Sequence, residues 1–564
     1  MIFNLDFKPK FLSVLQNYNK KQFSSDLMAG IIVGIVALPL AIAFGIASGV
    51  SPEKGLITAI VGGFIVSLLG GCNVQIGGPT GAFIVIVYGI IAKFGIEGLA
   101  IATFMAGIIL IAMGLLKLGT MIKFIPYPIV IGFTGGIALT IFTTQIKDLL
   151  GMNIENVPAD FISKWIVYFK HIETISPWAV IMSAATILII IVFPKISKKI
   201  PGSLAAILIV TLVSYLLKKY AGITSIETIG DRFTINAIMP QPKLIHFSMD
   251  TLITLLPASL TIALLGSIES LLSATVADGA TGDRHNSNTE LVAQGAANIG
   301  SFLFGGIPVT GAIARTMTNI KNGGRTPVSG IIHALVLLLI LLFLSPLTKY
   351  IPMACLAGVL VIVSYNMSEW RTIKSMMHNP KSDVAVLITT FVLTVIFDLT
   401  IAIEVGLVMA IFLFMKRVME TTQISVIHDE FKLEKEGEYP DKFLHNPDLD
   451  KLTIPDGIEV YEIEGPFFFG VANKFDEIMR DIGENRAKVR IIRMRRISFI
   501  DSTGIHNLEI FIKSTQKESK NVILSGVTES VHQTLLKAGI DNLVGEDNVC
   551  NNIYSALEQA KKYL

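Results

Sequence analysis

Cysteine, charge and catalytic motifs are what this sequence has least of. Its 564 residues hold three cysteines, Cys72, Cys355 and Cys550, far apart and without CxxC or metal-ligand spacing. That excludes a disulfide framework and a zinc site. Charged residues make up 16% of the chain, against about 25% in ordinary globular domains. The 46 Lys and Arg nearly cancel the 44 Asp and Glu, leaving a net charge of +2, which gives no basic footprint for nucleic acid. No nucleophile–base pairing, P-loop or metal-ligand set stands in the apolar runs, so no enzyme, cofactor or bound metal is expected. Apolar residues are abundant instead, at 52% with a mean hydropathy of +0.64. An integral membrane protein remains.

A membrane span needs roughly 20 apolar residues. Seven runs can be marked: Leu27–Val50, Gly55–Leu69, Pro79–Ala92, Leu99–Leu116, Tyr127–Gln145, Pro177–Phe193 and Pro201–Leu217. Beyond the polar stretch Gly222–Asp250 come seven more: Thr251–Ala277, Leu291–Phe304, Thr310–Ile320, Val328–Leu347, Met353–Tyr365, Val384–Phe397 and Thr400–Met415. Several are too short, or too rich in Gly and Pro, to cross alone. Residues 1–26 carry Lys8, Lys10, Lys20 and Lys21 without a signal-cleavage pattern. The even connections hold Lys117, Lys123, Lys195, Lys198, Lys199, Lys321, Arg325, Arg371, Lys374 and Lys381, which by the positive-inside rule places them, and both termini, in the cytoplasm. The expected domains are a cytoplasmic segment 1–26, a transmembrane part 27–416 with repeats at about 27–217 and 251–416, a linker 417–455, and a soluble domain 456–564.

One element recurs. Ser67-Leu-Leu-Gly-Gly leads to Gly78-Pro79-Thr80-Gly81-Ala82, and Ser301-Phe-Leu-Phe-Gly-Gly leads to Ile307-Pro308-Val309-Thr310-Gly311-Ala312. Seven runs per half is an odd number, so the second half enters the membrane inverted, as in many transporters. Two half-helices starting near the midplane would aim free N–H groups and positive dipole ends at each other, an anion site needing no lysine. The plainer alternative is a pair of tight turns. Glu269 is the ionisable group at the centre of the eighth run, with Ser273 one turn on. An acid there costs about 2.5–3.5 kcal/mol to insert, so it is either a coupling-ion site or a protonated, hydrogen-bonded Glu. Arg315 has three readings: a fixed charge at the site, a residue of the inner mouth beside Lys321–Arg325, or a partner for Glu269. The loop Asp278–Asn288 reads as a capped turn.

ALLGSIESLLSATVADGATGDRHNSNTELVAQGAANIGSFLFGG, the GGPTGA segment and the soluble tail resemble the SulP anion transporters, bacterial relatives of the SLC26 exchangers. IESLL, TGAIAR, YNMSEW and VIFDLTIAI are most similar to the branch assigned to C4-dicarboxylic acids such as succinate. The resemblance implies a polytopic α-helical membrane protein of 14 segments in a 7+7 inverted repeat. Runs 1–4 and 8–11 form a core domain, and runs 5–7 and 12–14 a gate domain. Substrate would sit between Thr80, Gly81 and Ala82 on one side and Gly311, Ala312 and Ile313 on the other, with Pro39, Leu40 and Phe44 closing the flank. Arg315 matches an arginine of many members. Sodium-coupled bicarbonate members carry an acid and a hydroxyl at Glu269 and Ser273, and a further hydroxyl where this chain has Ile313. Such cations want about six oxygens, so a proton taken by Glu269 is expected as coupling ion, with sodium second.

The expected activity is proton-coupled C4-dicarboxylate uptake across the cytoplasmic membrane by alternating access. The alternatives are sulfate or bicarbonate transport, or an uncoupled exchanger or channel. In the tail, Ile458–Ile463, Pro466–Phe469, Val489–Met494 and Asn521–Ser525 read as strands. Val471–Ile482, a helix from Asp501-Ser-Thr-Gly504 to about Lys517, Ser530–Ala538 and Cys550–Tyr563 read as helices. IDSTG resembles the STAS domain, where the Ser can be phosphorylated. Ser502 is thus either a regulatory phosphosite or an N-cap. A homodimer and a cytoplasmic protein partner at this domain are expected.

Overall fold

The computed structural model describes residues 7–15, 18–120, 126–154, 157–158, 160–196, 201–233, 242, 248–397, 399–427, 430–432, 451–471 and 487–564. The chain divides into two compact units, Met1–Met409 and Ala410–Leu564. In the first, α1 (Lys10–Leu15) and α2 (Lys20–Ala47) precede α3 (Pro52–Ile57), a π-helical turn at Thr58–Gly62, and α4 (Gly63–Leu69). The extended pair β1 (Gly77–Gly78) leads into α5 (Gly81–Leu115), followed by α6 (Tyr127–Leu150), α7 (Phe161–Lys170), α8 (Pro177–Ile196), α9 (Gly202–Tyr220) and α10 (Ile229–Arg232). The second half holds α11 (Met249–Thr281), α12 (Ser287–Leu303), β2 (Thr310–Gly311), α13 (Ile313–Lys321), α14 (Pro327–Thr348), α15 (Met353–Met367), α16 (Trp370–Met376), α17 (Lys381–Ile396) and α18 (Leu399–Thr421).

Each of the fourteen apolar runs has its helical counterpart. The third and fourth lie in α5, which breaks at Gly95, where φ is 71° and ψ −175°. Nine of the described helices are long and apolar enough to cross a membrane. The span Pro177–Ile196 is only 22% buried, and outward-facing Leu188, Ile191, Leu212, Leu339 and Phe343 are more than half exposed. Such a belt suits lipid, not water.

Packing follows the repeat. α2 packs on α14, and its counterpart α11 packs on α5; α6 packs on α17, and its counterpart α15 packs on α8. The first two pairs belong to one bundle and the last two to another, which are the expected core and gate. Between α5 and α12 the backbones nearly touch: a methyl on Gly295 would stand 2.5 Å from the Gly107 carbonyl, and one on Gly107 2.8 Å from that of Gly295. Small residues are what let membrane helices approach this closely.

The second unit is an α/β domain in which β4 (Glu430–Lys432) pairs with β5 (Lys451–Thr453), and a five-stranded sheet has the order β3-β6-β7-β8-β9: Gln423–Ile427, Ile458–Glu464, Val489–Arg496, Asn521–Ser525 and Val549–Cys550. β3 is antiparallel and the others are parallel. Alternation along β7 sends Val489 and Ile491 against the helix Ile553–Lys561, and Ile492 and Met494 against the helices Ser502–Lys517 and Glu529–Lys537. Three expectations change, the first being that Cys550, read as the start of the last helix, ends the edge strand β9, and the helix begins at Ile553. Part of the stretch read as linker forms β3, whose polar alternation suits an edge strand. Pro466–Phe469 is no strand but a single bridge from Phe467 to Ile500, because Pro466 has no N–H for a ladder. The helix expected at Val471–Ile482 lies, after Val471, outside the described residues, as do Lys123, Lys198 and Lys199 and most of the linker.

Candidate functional site

The two repeated Pro turns meet. Gly77 pairs with Gly311 and Gly78 with Thr310 in an antiparallel ladder, extended by the Ala312 N–H donating to the Ile76 carbonyl at 2.9 Å. From this ladder the chain enters α5 at Gly81 and α13 at Ile313, so two helix starts lie side by side with opposite chain directions. Neither N-cap residue, Thr80 or Ala312, caps its helix with a side chain. The first N–H groups of both helices therefore remain available to an acceptor.

Irregular backbone at membrane depth must be satisfied by protein or a wet cavity. Here the other repeat satisfies much of it. The Glu290 carboxylate accepts from the N–H groups of Gly71 (2.8 Å) and Cys72 (3.1 Å) and from the amides of Gln75 and Gln294 (both 2.9 Å). Thr316 accepts from the Ile76 N–H at 3.0 Å, and the Asn319 amide donates to the Val74 carbonyl at 3.0 Å. On the second turn, Asn298 clamps Val309 by donating to its carbonyl at 2.8 Å and accepting from its N–H at 2.9 Å. Thr58, in the π-helical turn, accepts from the Ile307 N–H at 2.7 Å.

Glu269 is half-buried on α11, and its Oε2 accepts from the Thr80 hydroxyl at 2.9 Å. Arg315 is 2% exposed; its Nη2 donates to the Pro79 carbonyl, while Nη1 has no hydrogen-bond partner among the described residues. Arg315 thus crosses to the turn of the other repeat. It forms no ion pair with Glu269 among the described residues. The guanidinium fits because Gly78 has a φ of 149° and no side chain; a Cβ there would stand 2.4 Å from Nη1. Ser273 is fully buried and donates to Thr316 at 3.3 Å, so it braces the α13 start instead of turning to Glu269.

Of the other predicted residues, Thr80, Ala82 and Ala312 are buried beside the ladder and Ile313 is 38% exposed. Gly81 faces the gate: a Cβ would meet Met367 Sδ of α15 at 2.7 Å and Ile141 Cδ1 of α6 at 3.3 Å. Pro39 and Phe44 are buried on α2, and Leu40 is half-buried. Sequence reasoning missed Glu290, Asn298, Thr316 and Asn319. Its one usable signal was the density of polar residues in DRHNSNTEL and after it. Asn286 does cap α12, accepting from the Asn288 and Thr289 N–H groups. In the soluble unit the N-cap is Asp501, which accepts from the Gly504 N–H at 2.8 Å. Ser502 is the first helical residue and exposed, so the cap reading of Ser502 is corrected.

Opposed half-helices in an inverted two-bundle frame are the architecture of a membrane transporter. Residues 23–390 match the sulfate permease family and residues 451–560 the STAS domain; the chain belongs to that family of SulP anion transporters. It is 39% identical over 96% of its length to the putative sulfate transporter YvdB of Bacillus subtilis, covering 98% of that protein. It is 31% identical to the bicarbonate transporter BicA of Synechocystis, over 97% of this chain and 96% of that one. The fold is shared with murine Slc26a9 at a TM-score of 0.85 and 17% identity, over 98% of this chain and 94% of that one.

Proposed function

We propose that the chain is a proton-coupled symporter that carries a small anion inward across the cytoplasmic membrane by alternating access, with both termini in the cytoplasm. The observation that supports it is the Thr80–Glu269 hydrogen bond. It ties Glu269, the acid near the middle of α11, to the residue that opens a half-helix. An anion held by the free N–H groups of α5 and α13 then sits beside a carboxyl that takes a proton, and the pair crosses as one less charged unit. Gate residues Ile141 and Met367, against Gly81, close the site on one side.

The substrate reading is a C4-dicarboxylate, on the resemblance of IESLL, TGAIAR and YNMSEW. The names of the relatives favour a second reading, sulfate or bicarbonate. A proton is favoured over sodium because Ile313 offers no side-chain oxygen and Ser273 is engaged with Thr316. The STAS domain is read as a partner-binding or dimer-steadying unit, with Ser502 as an accessible phosphorylation site. The test is uptake of labelled succinate, sulfate and bicarbonate into proteoliposomes by the natural protein and Glu269→Gln, with and without an inward proton gradient. Gradient-stimulated uptake of one anion, abolished in the variant, is expected. Equal stimulation in both would remove Glu269 from the coupling role.

A further inference from the structure

Far from the helix starts, a cavity of about 250 Å³ lies between α2 and α5 on one side and α6, α7 and α15 on the other. It begins at Ala43, next to Phe44, and continues one turn along α2 to Ile46 and Ala47. It therefore opens toward the face opposite α1, whose Lys10 N–H donates to the Gly70 carbonyl. Three cations line it, Lys147, Lys164 and Arg232.

Their charges are answered unequally. Arg232 is paired with Asp148 at 2.8 Å and Glu227 at 2.6 Å. Among the described residues Lys147 donates only to the Ile154 carbonyl. Lys164 is 3% exposed, lies 5.3 Å over the Tyr88 ring and has no ion pair among the described residues. A buried charge is ordinarily paired, and here the space beside two ammonium groups that have no ion pair among the described residues is polar, with Thr144 and Gln145 in its wall. Tyr88 belongs to the core bundle and donates to the Val157 carbonyl at 2.9 Å, so the cavity has one wall on each of the two bundles.

We propose that this cavity is a waiting site for the transported anion, in which Lys147 and Lys164 hold a compact carboxylate or inorganic oxyanion before it reaches the α5–α13 site. The inference rests on the anion-transport reading above. An anion there would supply the missing countercharge and would be released inward as the bundles part.

The titratable groups that share the cavity wall with Lys164 are Tyr88 from α5, Lys147 and Asp148 from α6 and Arg232 from α10, with Asp160 and Tyr168 one turn to either side of it along its own helix. Burial pushes its ammonium down to about 8, with Asp160 opposing. Above that pH its charge, and its hold on the anion, should fade.

The test is the half-saturation concentration for anion presented separately from each face, in proteoliposomes whose orientation is scored by protease access to the second unit. Lys147→Gln with Lys164→Gln should raise it about tenfold from the far face, as loss of two nearby charges demands, and leave the near face unchanged. Lys164→Arg should restore it and abolish its rise above pH 8. Where the double variant does not fold, the single variants carry the same measurement. Equal values in variant and natural protein, or equal change at both faces, would overturn the waiting site. Failure of the natural protein to move any anion would instead overturn the transport reading.

Discussion

Two acids of the core bundle, Glu290 fully buried and Glu269 half-buried, have opposite surroundings. A carboxylate offers about four acceptor positions, and Glu290 has all four filled, holding the turn that leads into β1. Glu269 has one, from Thr80, and is partly accessible. The filled acid is a brace, and the open one is the acid we propose exchanges a proton. Glu290→Ala should therefore cost about 3 kcal/mol or more by orphaning buried donors, read as a fall in thermal stability of the purified protein. Glu269→Gln should leave the melting temperature nearly unchanged. A reversed order would mean that the roles are exchanged. The sequence pointed to Glu269 because a lone acid in an apolar run has no cheap explanation. It hid Glu290, because an acid at the start of a helix after a polar loop looks like an ordinary first-turn residue.

At the scale of elements, hydropathy located all fourteen segments, since each apolar run must bury or face lipid as a unit. It did not show how they end. The break at Gly95, the π-helical turn at Thr58–Gly62 and the short helices α7, α10 and α16 depend on tertiary contacts that leave no run in the sequence. The two Pro turns were readable because they occur twice; their pairing through β1 and β2 is the contact that inverted repeats make possible. The glycines had no such marker. Gly107 and Gly295 look like others in apolar helices, yet they set the distance between α5 and α12. Gly295→Ala should force these backbones apart at a cost of about 1–3 kcal/mol, seen in thermal unfolding in detergent. An unchanged transition would show that the helices yield without loss.

For the whole molecule, the two units have separate cores. The transmembrane unit holds the helix starts, Glu269 and the cavity near Lys164, and the STAS unit buries its own two-faced sheet. Truncation after Arg417 should thus leave transport measurable, altering rate or assembly rather than abolishing uptake; complete loss of uptake by a folded truncated protein would make the tail part of the transport machinery. The central claim, that anion and proton move together through Glu269, is tested most directly with a pH-sensitive dye sealed inside proteoliposomes. On adding the transported anion outside, with no gradient imposed and empty vesicles as control, the account predicts acidification of the lumen that tracks anion uptake and is absent in Glu269→Gln. Anion uptake without acidification would contradict it.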